Sequence, residues 1–91
     1  MRFEQLEYLI AIAETGSFRA AAQKLYITQQ AISSSMKQLE EELGQELFIK
    51  ESNKTRLTTY GEITLGFAQK TLEEKNSLFA QYQSVQETRR I

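Results

Sequence analysis

Five residue types are missing from this 91-residue chain: cysteine, histidine, proline, tryptophan and aspartate. Without cysteine and histidine there can be no disulfide, thiol nucleophile, imidazole base or ordinary zinc site. Twelve acidic residues remain, but they are strung along amphipathic patterns and converge on no visible motif. Neither an enzyme nor a cofactor or metal site is expected. No apolar run approaches the roughly twenty residues that span a bilayer. The start, Met1-Arg2-Phe3-Glu4, lacks the apolar core of a signal peptide. A cytoplasmic protein with no membrane partner is the expectation.

What is present is enough to fold. The hydrophobic share of 41% is ordinary for a globular protein, and the length suits one small domain or a domain with an appendage. The net charge is −1, which by itself speaks against a polyanionic partner, but the distribution speaks for one. Between Ser17 and Leu39 stand Arg19, Lys24 and Lys37 and no acid. Between Lys50 and Gly61 stand Lys50, Lys54 and Arg56 against Glu51 alone. The acids gather elsewhere, in Glu4, Glu7 and Glu14, in Glu40–Glu42 and Glu46, and in Glu73 and Glu74. Local field decides where a polyanion docks.

Apolar spacing predicts a first helix over Phe3–Thr15, with Phe3, Leu6, Leu9, Ile10 and Ala13 on its inner face and Gly16 as its stop. Ser17 is placed to cap a second helix ending near Leu25, whose Ala21 and Ala22 allow close approach of a neighbour. After Tyr26-Ile27, Thr28 is placed to cap a third helix reaching Gly44. There Ile32, Met36, Leu39 and Leu43 form the apolar stripe. Its opposite side carries Gln29, Gln30, Ser33, Ser34 and Lys37, a short polar surface without a carboxylate. Serines in sequence are poor helix formers. Such a face suits base edges in a major groove, and the free N–H groups of the first turn suit a phosphate. Two helices joined this closely make a helix-turn-helix.

Leu47–Lys50 and Thr55–Thr58 are candidate strands around the turn composition Glu51–Lys54, although the first run could also continue a helix. The resulting wing would offer Asn53, Lys54 and Arg56 to phosphates or a minor groove. A long helix then starts at Thr58 or Thr59, the latter pairing with Glu62 as a capping box. Leu65, Ala68, Leu72, Phe79 and Tyr82 fall on a heptad-like seam interrupted by Lys75, more apolar surface than a domain of this size covers beyond the helix's first turns. This seam predicts a homodimer. An antiparallel pairing would bring Lys75 near Glu73 or Glu74 of the second copy and present two recognition helices to an inverted-repeat site. A winged-helix protein–protein module that uses the same polar face without DNA is the rival reading.

Taken together, four stretches resemble the N-terminal region of LysR-type bacterial transcriptional regulators. They are Gly16-Ser17-Phe18 through Ala21-Ala22 to Leu25; Gln29 with Ala31-Ile32-Ser33; Leu39-Glu40, Leu43-Gly44 and Leu47-Phe48; and Leu57-Thr58 with Gly61. They stand in order and without gaps over nearly the whole chain. The resemblance implies a mainly α fold: a winged helix-turn-helix over residues 1–58, with three helices and a two-stranded β-wing, then a linker helix over 59–91 used for dimerisation. It implies sequence-specific double-stranded DNA binding by Thr28, Gln29, Gln30, Ser33, Ser34, Lys37, Lys54 and Arg56. It further implies an effector-binding domain that normally follows and is missing here, so that Ile91 would sit just before it. Any small-molecule effector would act through that domain, and the full-length protein has room for a higher oligomer. Departures from the family pattern are Gln30 where many members have proline, Lys50 where arginine is common, Asn53 where a basic residue is common, and Ser34-Ser35 where longer polar or basic residues stand. Base preference therefore does not carry over from relatives.

Overall fold

Local chemistry sets the helix ends. In the computed structural model, which describes residues 1–89, the elements are α1 (Phe3–Thr15), α2 (Phe18–Leu25), α3 (Gln29–Leu43), β1 (Phe48–Glu51), β2 (Lys54–Leu57) and α4 (Thr59–Arg89). Ser17 Oγ accepts from the Ala20 N–H at 3.0 Å and Thr28 Oγ1 from the Ala31 N–H at 3.0 Å. Caps of this kind contribute about 1 kcal/mol each. α1 and α3 end on glycines in the left-handed conformation, Gly16 at φ 85° and Gly44 at φ 76°. Of the two candidate caps for α4, Thr58 takes the role: its hydroxyl accepts from the Gly61 N–H at 3.1 Å and donates to the Glu46 carbonyl at 2.7 Å.

The helix-turn-helix packs on α1. Leu6, Leu9 and Ile12 meet Ala21 and Ala22 of α2 and Ile32, Met36 and Leu39 of α3, with Leu47 and Ala68 closing the core. Burying a side chain such as Leu9 or Ile32 stabilises the fold by about 1.5–3 kcal/mol. The predicted inner face of α1 needs correction. Ala11 and Ile12 are buried, Ile10 and Ala13 only partly, and Phe3 is exposed. α1 touches α2, α3 and α4 together, so its apolar surface is wider than one stripe. Gln5 is also buried. Its Oε1 accepts from the Arg2 N–H and its Nε2 donates to the Ser35 carbonyl at 3.3 Å. This ties α1 to the buried side of α3, where the small Ser35 sits. Leu43, predicted on the α3 stripe, is exposed at the end of the helix.

The hairpin is antiparallel, with Phe48 opposite Leu57 and Glu51 opposite Lys54. It begins one residue later than predicted because the Leu47 N–H is diverted to Glu40 Oε2, at 2.7 Å, while the Leu47 carbonyl stays bonded to the N–H of Thr58, its partner in the hairpin register, at 2.9 Å. β2 is pinned to the end of α1 by the Thr55 N–H, which donates to the Gly16 carbonyl at 2.8 Å. Gly61 is obligatory at the start of α4, since a Cβ there would collide with the Leu47 carbonyl.

α4 lies against α1 for more than its first turns, and this corrects the predicted seam. Ala68 is fully buried in the protomer's own core, and Leu65 and Leu72 pack against it. Lys75 faces the same way: its Nζ is 4.9 Å from the Phe3 ring centroid and 3.9 Å from Glu7. Only Phe79 and Tyr82 of the five seam residues stand exposed, joined by Tyr60, Ile63, Phe67, Leu78 and Val85. A heptad reading cannot distinguish the line facing α1 from the line facing away. No helix among the described residues is long and apolar enough to cross a membrane.

Candidate nucleic-acid interface

With Ile32, Ser35, Met36 and Leu39 turned inward, helical geometry turns the other side of α3 outward. Thr28, Gln29, Gln30, Ser34 and Lys37 are exposed and Ser33 is half-buried. The polar face thus has the composition expected from its spacing. Ser33 and Lys37 line a groove of about 590 Å³ between α3 and β1, together with Phe18, Met36, Phe48–Lys50 and the acids Glu40 and Glu46. Gln29 lines a second cleft of about 390 Å³. Its other walls are the start of α2, Ser17–Arg19, and the wing from Lys50 to Thr55.

This second cleft gathers three cations, Arg19, Lys50 and Lys54. The geometry of Lys50 follows from aromatic packing. Phe18 meets Phe48 edge to face with ring centroids 5.0 Å apart, and Lys50 Nζ lies 4.7 Å from the Phe18 centroid. A cation over a ring face is held by the ring quadrupole, so the lysine is anchored at the cleft wall while remaining exposed. The single acid on that wall, Glu51, is engaged by Arg56 Nε at 2.6 Å. What remains is a net positive cleft beside the first turn of α3. Arg19 and Lys50 were visible in the sequence as parts of a basic stretch, but only the fold brings them next to Gln29.

Arg56 stands apart from that group. Its register places it on the wing face shared by Ile49, Glu51 and Lys54, and it lines a groove with Ile12, Ala13, Glu62 and Leu65, next to α1 and α4. Its charge is used on Glu51. Of the two wing cations predicted to reach a partner, Lys54 is the one that joins the cleft containing Gln29.

Sequence and fold comparisons place the chain among known proteins. Residues 3–62 match the family model described as bacterial regulatory helix-turn-helix protein, lysR family. The HTH-type transcriptional regulator MetR of Haemophilus influenzae is 39% identical over 72 residues, which make up 79% of this chain and 23% of MetR. The chain thus spans about a quarter of the length of the curated relatives it matches. The DNA-binding domain of CbnR, solved in complex with DNA, superimposes with a TM-score of 0.89 at 34% identity, covering 93% of this chain and 98% of that one. The BenM DNA-binding domain bound to catB site 1 DNA gives 0.89 at 32% identity, covering 93% and 96%. With two thirds of its residues inside the family model and the whole fold matched, the chain belongs to the lysR family of bacterial regulatory helix-turn-helix proteins.

Proposed function

We propose that residues 1–58 bind double-stranded DNA as the reading unit of a transcriptional regulator, with α3 in the major groove. The observation that carries this reading is the acid-free polar face of α3 running into the cationic cleft at its first turn. Gln29, Gln30, Ser33 and Ser34 face bases. Glutamine pairs bidentately with adenine, whereas serine bonds several bases and discriminates weakly. Thr28, Lys37, Lys54, Arg19 and Lys50 position the protein on phosphates. Arg56 serves chiefly to neutralise Glu51. A role on DNA implies a cytoplasmic protein.

Residues 59–91, of which Arg90 and Ile91 lie outside the described structure, are proposed as a linker that forms a homodimer. The exposed stripe of α4 supports this through its symmetry. Apolar Tyr60, Ile63 and Phe67 lie at one end, apolar Leu78, Phe79, Tyr82 and Val85 at the other, and Lys70 and Glu74 between them. Antiparallel pairing about a centre near residue 72 sets each apolar end on the other and Lys70 opposite Glu74. Such a dimer fits an inverted-repeat site. Effector binding and any higher oligomer belong to the remaining length that the curated relatives possess.

Selection of bound duplexes from a random pool tests the reading. A defined site should be enriched, and Gln29→Ala or Ser33→Ala should weaken binding to it by about 1–3 kcal/mol with little change on random DNA. A chain that enriches no duplex is instead a protein–protein module.

A further inference from the structure

The helices α1, α2 and α3 each end in a left-handed residue. At α1 and α3 that residue is glycine, but at α2 it is Tyr26, with φ 57° and ψ 40°. Tyr26 is the only non-glycine residue with positive φ among those described. A side chain with a Cβ is disfavoured in this conformation, so burial or a hydrogen bond would normally offset the cost. Here the ring is neither buried nor hydrogen-bonded through its hydroxyl among the described residues. Tyr26 is 96% exposed, well above the 67% of Ile63, the next most exposed large apolar side chain among the described residues. The turn itself is held by other groups: the Tyr26 and Ile27 N–H groups bond back to α2 carbonyls, and Ile27 is the half-buried anchor. The Tyr26 ring therefore contributes nothing that the protomer uses.

Its position supplies the use. Tyr26 lies two residues before the Thr28 cap of α3 and is followed by exposed Gln29 and Gln30, inside the stretch from Ser17 to Leu39 that has no acid. We propose that Tyr26 is a DNA-backbone contact. Its ring lies against a deoxyribose at the edge of the groove that takes α3, and its phenolic O–H donates to the adjoining phosphate. This rests on the DNA-binding reading above. A tyrosine has the right chemistry for this: an apolar body for the sugar's C–H surface and a neutral donor at the tip. Because the donor is uncharged, the contact adds affinity on every sequence without releasing a counterion.

That last property separates it from the lysines. Tyr26→Gly removes the ring and relieves the backbone, so the variant folds at least as well as wild type; Tyr26→Phe removes only the hydroxyl. Binding of each is titrated on the selected duplex and on random duplexes over a range of salt, with thermal melting alongside. Tyr26→Gly should bind all duplexes about tenfold more weakly with an unchanged salt slope and an undiminished melting temperature, and Tyr26→Phe should show about a threefold loss. Tyr26→Gly binding within about twofold of wild type, or a loss confined to the selected site, overturns the assignment while leaving DNA binding intact. A wild-type protein that binds no duplex overturns the underlying reading as well.

Discussion

The two halves of α4 carry similar apolar patterns and have opposite surroundings. From Thr59 to Lys75 the helix lies on α1, with Ala68 fully buried and Leu65 and Leu72 against the core. From Asn76 onward every described residue is exposed, including Leu78, Phe79, Tyr82 and Val85. Even in the packed half the outer side holds exposed Ile63 and Phe67. Helical periodicity reports that a line of residues is apolar and says nothing about whose surface covers it. Residue size carries part of the missing information. Alanine at position 68 marks a close approach between two backbones of the same protomer, while the large side chains from position 78 onward mark an open surface.

Three variants sharpen this contrast. Ala68→Asp places a carboxylate in the packed half without a partner and should destabilise the protomer by about 3–5 kcal/mol in urea unfolding. A loss below about 1 kcal/mol would mean that the inner half is not held as described. Phe79→Glu combined with Tyr82→Glu acts only on the open half. The helical circular dichroism should persist, while sedimentation shifts from dimer to monomer and affinity for a two-half-site duplex drops by about a hundredfold. A wild-type chain that already sediments as a monomer at tens of micromolar, yet binds a palindrome tightly, contradicts the assigned role of the open half. Lys75→Ala probes the border between the halves. Loss of the contacts to Phe3 and Glu7 should cost about 0.5–1 kcal/mol of stability and leave the sedimentation coefficient unchanged.

Much of the fold was legible because its punctuation is local. Ser17, Thr28, Gly16 and Gly44 act within one turn of where they stand, and each helix boundary they mark is found where the pattern placed it. The polar face of α3 was legible for the same reason, since the inward residues Ile32, Met36 and Leu39 fix the outward ones. Features that depend on distant partners were not. The first strand starts at Phe48 because Glu40 takes the Leu47 N–H that would otherwise bond across the hairpin. Arg56 is paired with Glu51 across the hairpin rather than left free at its tip. Arg19 meets Lys50 and Lys54 only once β2 is bonded to Gly16.

Gly61 has a mechanical consequence. The Leu47 carbonyl presses against it, the Thr58 N–H bonds that same carbonyl, and the Thr58 hydroxyl bonds Glu46. The base of the wing and the root of α4 are thereby locked into one joint. From this joint α4 extends as a rod of about 45 Å, so a tilt of about 5° at the root displaces the far end by about 4 Å. Any side chain at position 61 would therefore act at long range. It would act at the root of α4, away from the polar face of α3, and in the proposed dimer would misalign the rod that sets where the second copy's α3 stands.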